Sequence, residues 1–260
     1  MIETASAPHR AIARSDRGAP GQARALATLV AFELRRWWRT PAGWVQAAVY
    51  TLAVAGFGAL VLLDAPEAAG QTLELRMAPF AMHLLFAGAG AILTAQGAIV
   101  GERQDGTAAW VLAKPVARGT WLAAKAASLL GGFVVASVVV PLAALQGVWT
   151  YAGMGLSAPQ FATAAFAMTA TVAFLLAATL ALGTLFRTRG AVAGIGLGLL
   201  FVLIQLGQQL PAWMPSGLAF QLGAVVHTGE PLAATTVVLT LGATAFALGF
   251  AAWRFGRLDL

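Results

Sequence analysis

Few residues in this chain have the type and spacing that chemistry requires. His83 follows Met82 at one end of a hydrophobic stretch, and His227 lies in a separate polar segment. Because no third ligand occurs at helical spacing from either histidine, the sequence predicts no metal site. Ser137 and His83 could form a hydrolytic pair, but nothing in the sequence supplies an orienting acid or an oxyanion hole. We therefore do not expect the chain to be an enzyme.

Nucleotide and thiol chemistry are not indicated either. The chain has no Gly-x-x-x-x-Gly-Lys-Ser/Thr stretch, which would cradle the phosphates of ATP. It has no cysteine among its 260 residues, so disulfides and thiolate metal sites are excluded. We expect this chain to bind no cofactor.

The longest polar interruption between hydrophobic stretches lies at residues 102–118. Its middle favours a short helix over residues 107–113, which Asp105 or the helix's own first residue can cap. Pro115 disfavours the α conformation at Lys114 and so ends this helix. Beyond it, Thr120 can cap a new helix, and Lys125 can extend its long side chain back to water.

The elements that must position this segment are membrane-spanning helices. The chain is 59% hydrophobic and 10% charged, whereas soluble domains carry about 25% charged residues. We therefore predict an all-α integral membrane protein with six transmembrane helices. The predicted spans are residues 42–63, 79–100, 121–147, 161–186, 191–210 and 231–253.

Three further segments flank these spans. Residues 1–24 contain prolines, glycines and arginines without apolar periodicity, so we predict a disordered tail, and a single membrane domain over 25–260. Residues 25–40 have helical spacing of apolar side chains, which predicts an amphipathic interfacial helix. The apolar run 218–226 is too short to cross a bilayer, which predicts a re-entrant segment between the fifth and sixth spans.

The distribution of charge predicts the orientation. If both termini are cytoplasmic, 15 of the 16 basic residues lie in cytoplasmic segments and only Arg76 lies outside. The net charge of +6 is therefore a topology signal, and we do not expect a nucleic-acid partner. The expected location is the inner or plasma membrane of the cell, and the 102–118 segment then faces the cytoplasm.

Residues 102–125 resemble a loop of the permease subunits of type-2 ABC transporters. In that family the loop has an acidic residue, Gly-Thr, an apolar turn, a Lys/Arg/Ser-Pro-Val-x-Arg element and a lysine at the next span. The same order is found here in Glu102, Gly106-Thr107, Val111-Leu112, Lys114-Pro115-Val116, Arg118 and Lys125. Over the rest of residues 25–255 the resemblance lies in the order of the spans.

The resemblance implies that the short helix is a cytoplasmic coupling helix for a separate ABC ATPase, present in two copies and binding ATP and magnesium. Its apolar side chains would pack into a cleft of the ATPase, and its charges would pair at the rim. Glu102 could equally serve as a charge that fixes the inner end of the second span. The predicted coupling residues are Glu102, Gly106, Thr107, Trp110, Val111, Leu112, Lys114, Pro115 and Arg118.

A second permease copy is also implied, with the transport path between the copies lined by the second and fifth spans. The predicted path-lining residues are Phe86, Gln96, Phe201 and Gln205. Ordinary hydrogen bonding between helices is the alternative for the glutamines.

Glycines recur at four-residue spacing along the fifth span, at Gly190, Gly194 and Gly198, with Gly196 between them. Small residues let helices approach closely in lipid. Packing within the subunit is the favoured interpretation, and a dimer seam is the other.

These features predict the permease half of an ATP-driven ABC transporter, and the resemblance implies an exporter. A secondary carrier or channel is an alternative, as is a membrane assembly factor that transports nothing. Ion-coupled carriers usually place ionisable residues near the midplane. The predicted spans contain none beyond His83 and Lys125, which disfavours the carrier.

Overall fold

The computed structural model describes residues 19–64, 73–113, 116–206 and 217–258, and within these ranges the ordered elements are all helical, with no strand. The chain is an all-α integral membrane protein. Eleven α-helices occur in the described residues: α1 Ala19–Arg39, α2 Pro41–Thr51, α3 Phe57–Asp64, α4 Leu73–Gln104, α5 Thr107–Leu112, α6 Arg118–Val134, α7 Val140–Tyr151, α8 Ala158–Leu185, α9 Arg189–Leu206, α10 Gly217–His227 and α11 Ala234–Gly256. Short π-helical turns, Leu52–Gly56 and Val135–Val139, join α2 to α3 and α6 to α7.

Five helical segments of the described chain are long and apolar enough to cross a bilayer. They are Pro41–Leu63, Met77–Gln104, Arg118–Tyr151, Ala158–Leu185 and Ala234–Gly256. Each lies close to a predicted span. The predicted fifth span, 191–210, corresponds to α9, but residues 207–216 are outside the described part, so the count of six stays a prediction.

The helix α1 begins at Ala19, six residues before the predicted interfacial helix. Pro20 is tolerated because it lies in the first turn of the helix, and Gln22, Ala23 and Arg24 are good helix formers. Gln22 also fixes the added turn, because its Oε1 accepts hydrogen bonds from the Ala117 amide (3.1 Å) and the Thr120 hydroxyl (2.9 Å). The division into a tail of residues 1–24 and a membrane domain of 25–260 stays a prediction.

The fourth span begins at Ala158 because Ser157 and Gln160 form a capping box, in which each side chain bonds the other residue's backbone amide. The pattern Ser-x-x-Gln was visible in the sequence and would have moved the predicted start from 161. The resulting helix, α8, packs against α4, α6, α9, α10 and α11 and so lies at the centre of the bundle.

Two apolar clusters hold the bundle together. The larger lies between α2, α4, α6, α7, α8, α9 and α10 and includes Phe133 of α6 and Trp149 of α7. The smaller lies at the end of the bundle where α5 is found, which we name the α5 end. Its buried core is formed by Ile99, Ala108, Trp121, Leu122, Leu180, Ala251, Phe255 and Leu258.

The short helix α10 occupies the place of the predicted re-entrant segment. It spans 11 residues and buries one apolar face, including Leu218 and Leu222, against the bundle. Gln221 ties it to α11, because its amide donates to the Thr236 hydroxyl (2.8 Å) and its carbonyl accepts from the Ala233 amide (2.8 Å).

Candidate functional site

The helix α5 is an amphipathic turn on the surface of the α5 end. α4 ends at Gln104, and Gly106 then turns the chain with a positive φ of 71°. This left-handed conformation is open to glycine at little cost. It reverses the chain and sets α5 against α4.

The two faces of α5 have different environments. Ala108 is fully buried in the smaller apolar cluster, and Val111 and Leu112 are partly buried against the same cluster. Trp110 points the other way and is 65% exposed. Of the three apolar residues predicted to enter a partner's cleft, two are therefore held mainly by this chain, and Trp110 is the outward one.

Of the remaining predicted residues of this loop, the structure describes only some. Gly106 and Thr107 are exposed beside Trp110. Lys114 and Pro115 lie outside the described residues. The surface that α5 offers to another molecule is therefore small, with Trp110 as its apolar centre.

Glu102 belongs to a partly buried charge cluster formed by Glu33, Glu102 and Lys125. The Lys125 ammonium contacts both carboxylates, pairing with Glu102 Oε1 and lying 2.6 Å from Glu33 Oε1. Lys125 is only 8% exposed, so the prediction that it extends to water is wrong. Its carboxylate partners hold the ammonium inside the bundle, where the ring of Trp121 also faces it at 5.9 Å.

This contact joins three helices, because Glu33 is on α1, Glu102 on α4 and Lys125 on α6. Glu102 thus ties the α5 end of α4 to α6, and its role in coupling stays a prediction. Sequence reasoning missed Glu33. The available signal was that it is the only acidic residue between Asp16 and Asp64.

Arg118 holds the C-terminal end of α11. Its guanidinium donates to the carbonyl oxygens of Gly256 (3.1 Å) and Leu258 (2.6 Å). A cation at these carbonyls satisfies acceptors that a helix end leaves open. Thr120 does not cap α6 as predicted: the helix begins at Arg118, and the Thr120 hydroxyl donates to Gln22 instead.

The turn before α5 also contacts the loop between α8 and α9. The Gln104 amide donates to the Arg187 carbonyl (3.0 Å), and Arg189 lies 3.7 Å from Asp105 in an exposed ion pair. The segment that carries α5 is therefore bonded to α1, α9 and the end of α11.

The predicted path-lining residues lie on α4 and α9. Phe86 and Phe201 are exposed on the surface of the single chain, Gln205 is exposed, and Gln96 is partly buried. The structure does not bring them together into a cavity within this chain. Their role as path-lining residues stays a prediction.

The glycines of α9 do not all pack within the subunit. A Cβ on Gly196 would lie 2.7 Å from Ile92 of α4, so this glycine does permit a close internal contact. Gly190, Gly194 and Gly198 are exposed, and a Cβ on any of them would meet nothing within 4 Å. The favoured interpretation, internal packing, is wrong for these three.

His83 and Ser137 do meet, but not as a hydrolytic pair. His83 Nε2 donates to the Ser137 carbonyl, while the Ser137 hydroxyl donates to the Phe133 carbonyl (2.6 Å). No group of three His, Cys, Asp or Glu residues that could hold a metal ion occurs in the part of the chain that the structure describes.

The model of a family described as "ABC-2 family transporter protein" matches residues 28–223, which include α5, the charge cluster and the first part of α10. No curated protein matches the chain.

Proposed function

Because the chain belongs to the ABC-2 family of transporter proteins, we propose that it is the membrane-spanning permease subunit of an ATP-driven exporter whose ATPase is a separate chain. The protein is a multi-pass membrane protein and a transport component. The proposal adds the energy source, the direction of transport and the surface that receives the ATPase.

The observation that carries the proposal is the exposure of Trp110 on a helix that is otherwise anchored. A large exposed aromatic in a polar loop suits the centre of a protein interface, where tryptophan often contributes most of the binding energy. Ala108, Val111 and Leu112 hold α5 against the bundle. A force applied to Trp110 therefore acts on the helices against which α5 packs.

In the proposed mechanism the ATPase binds ATP and magnesium, closes on the nucleotide and moves α5. The movement acts on α4 through the Gly106 turn and on α1 and α6 through the charge cluster. It also acts on α11 through Arg118. Helices that shift together in this way can alternate the access of a central path between the two sides of the membrane.

The proposed assembly contains two ATPase copies and two permease copies in the cell membrane, with both termini in the cytoplasm. The bias of basic residues supports this orientation. The transport path lies between the permeases, on the faces that carry Phe86, Gln96, Phe201 and Gln205. Outward transport is proposed because the permeases that this chain resembles are dominated by exporters.

The test is Trp110→Asp in the full chain, purified from its native membrane with its associated subunits. A carboxylate at the centre of an apolar contact must be desolvated, so we expect the ATPase to be lost from the purified complex. Tyr151→Asp is the matched control, because Tyr151 is a 97% exposed aromatic at the far end of α7.

Both variants should insert and purify as the unchanged chain does. The proposal is contradicted if the Trp110→Asp protein still co-purifies with a nucleotide-hydrolysing subunit at the level of the control. It is equally contradicted if the unchanged chain purifies with no such subunit.

A further inference from the structure

A cleft of about 540 Å³ opens at the α5 end, between α1, the start of α2, the last turns of α4 and the middle of α6. This volume lies within the range of small-molecule binding sites. The cleft belongs to neither α5 nor the exposed faces of α4 and α9. Its position, at the ends of three membrane-spanning segments, corresponds to the headgroup layer and the first part of the hydrocarbon.

One wall of the cleft carries opposite charges side by side. Glu33 and Arg36 both line it and are three residues apart on α1, a spacing that makes them neighbours on one helix face. The Glu33 carboxylate contacts Lys125. Among the residues that the structure describes, none forms an ion pair or hydrogen bond with the Arg36 side chain. The guanidinium is exposed and available to a ligand.

The acidic side of this wall has an excess of negative charge. The single ammonium of Lys125 is shared by the carboxylates of Glu33 and Glu102. The Glu33 contact uses Oε1 and leaves the second oxygen able to accept a further hydrogen bond. The cleft therefore offers an acceptor for a cationic donor directly beside a cation that suits a phosphate.

The rest of the cleft suits the glycerol and acyl part of a lipid. Gln46 of α2 and Thr94 of α4 supply polar groups to the rest of the lining, and Leu129 of α6 is apolar. Gly97 also lines it, and a Cβ there would meet nothing within 4 Å, so the space in front of this glycine is open.

We propose that this cleft binds a phospholipid with a primary-amine zwitterionic headgroup, phosphatidylethanolamine, from the leaflet at the α5 end. Its phosphate accepts hydrogen bonds from Arg36, and its ammonium donates to the free oxygen of Glu33. Phosphatidylcholine presents the same charges, but its quaternary ammonium has no N–H to donate. Phosphatidylglycerol has no cation to place beside Glu33.

The test is native mass spectrometry of the full chain in detergent, titrated with phosphatidylethanolamine, phosphatidylcholine and phosphatidylglycerol that share the same acyl chains. We expect one phosphatidylethanolamine per chain, bound roughly tenfold more tightly than the other two lipids, since one charge-assisted hydrogen bond has about that effect. Arg36→Gln should lower phosphatidylethanolamine binding by a similar factor.

Gly97→Phe fills the cleft and should remove the tightly bound lipid. Gly147→Phe is the matched control, because Gly147 is an exposed glycine at the opposite end with equally open space. If Gly97→Phe does not give a monodisperse protein, Arg36→Gln decides alone, since its side chain is exposed. The proposal is overturned if phosphatidylglycerol binds best, if all three lipids bind equally, or if neither variant changes binding.

Discussion

Lys125 is the residue on which the charges of the α5 end depend. It is nearly buried, and its ammonium contacts the carboxylates of Glu33 and Glu102 together. An ion pair that is largely removed from water gives little net stability by itself. Removing the lysine that both carboxylates share costs more stability, because the two negative charges then face each other without compensation.

We expect Lys125→Met to lower the free energy of unfolding by about 2 kcal/mol, less than for a fully buried pair because the carboxylates are partly exposed. Thermal unfolding of the purified protein in detergent measures the change. Adding Glu33→Gln to this variant should restore part of the loss, since it removes one of the opposing charges.

Arg189→Gln is the control for this prediction. It breaks the exposed 3.7 Å contact with Asp105 and should leave the melting temperature nearly unchanged, because exposed ion pairs contribute little. Equal melting temperatures for Lys125→Met and Arg189→Gln would show that the charge cluster does not support the fold.

The contact between Lys125 and Glu33 could not be predicted from the sequence. Glu33 precedes Lys125 by 92 positions, and their contact depends on how α1 lies against α6. Hydropathy places Glu102 and Lys125 near the ends of neighbouring spans, but it does not place α1 beside them. Burial of the lysine follows only from the packing of α1, which has no signature in local composition.

At the scale of a helix, the interruption between α6 and α7 has an identifiable cause. In a regular helix the Ser137 carbonyl would accept from the amide of residue 141, but this residue is Pro141, which has no N–H. The chain forms a π-helical turn over Val135–Val139, and His83 of α4 donates to the Ser137 carbonyl instead. Such replacement by a neighbouring helix lets a proline occur inside a membrane span.

We expect His83→Leu to destabilise the protein by about 1–3 kcal/mol, because it leaves a buried carbonyl unsatisfied. The loss should be smaller in the double variant His83→Leu/Pro141→Ala, since alanine restores the amide that a helix normally provides. Thermal unfolding of the single and double variants gives the coupling between the two sites. Additive effects would exclude this explanation of the π-helical turn.

Polar residues and prolines set the limits of most helices, and these limits could be predicted from the sequence. Pro41, Ser157 and the polar loop at 102–118 all lie at or near observed boundaries. The π-helical turn at Val135–Val139 was not predicted, because its acceptor is satisfied from α4. The turn at Leu52–Gly56 has no proline after it that would cause it in the same way.

At the scale of the whole molecule, one face of α9 lacks a partner within the described chain. Gly194 and Gly198 are open on it, and Phe201 of the same helix is 64% exposed. The four-residue repeat was recognised in the sequence, but composition does not distinguish a glycine that packs inside a subunit from one that packs between subunits. The path-lining residues cannot be identified from the sequence for a similar reason, because a path between two copies is not formed by either copy alone.

We expect the exposed glycines of α9 to meet their counterparts in a second copy of the chain. Two-fold symmetry places a residue near its own equivalent only close to the axis, and a disulfide forms only when the Cα atoms lie within about 7 Å. Because the chain has no cysteine, Gly194→Cys introduces a single thiol into an otherwise unreactive protein. Oxidation in the native membrane should then give a covalent dimer in high yield.

Gly242→Cys is the matched control on α11, where the glycine is equally exposed and open, and it should stay monomeric. If both variants cross-link alike, the contact is random collision in the bilayer; if Gly194→Cys and Gly198→Cys both stay monomeric, the second copy lies against another face.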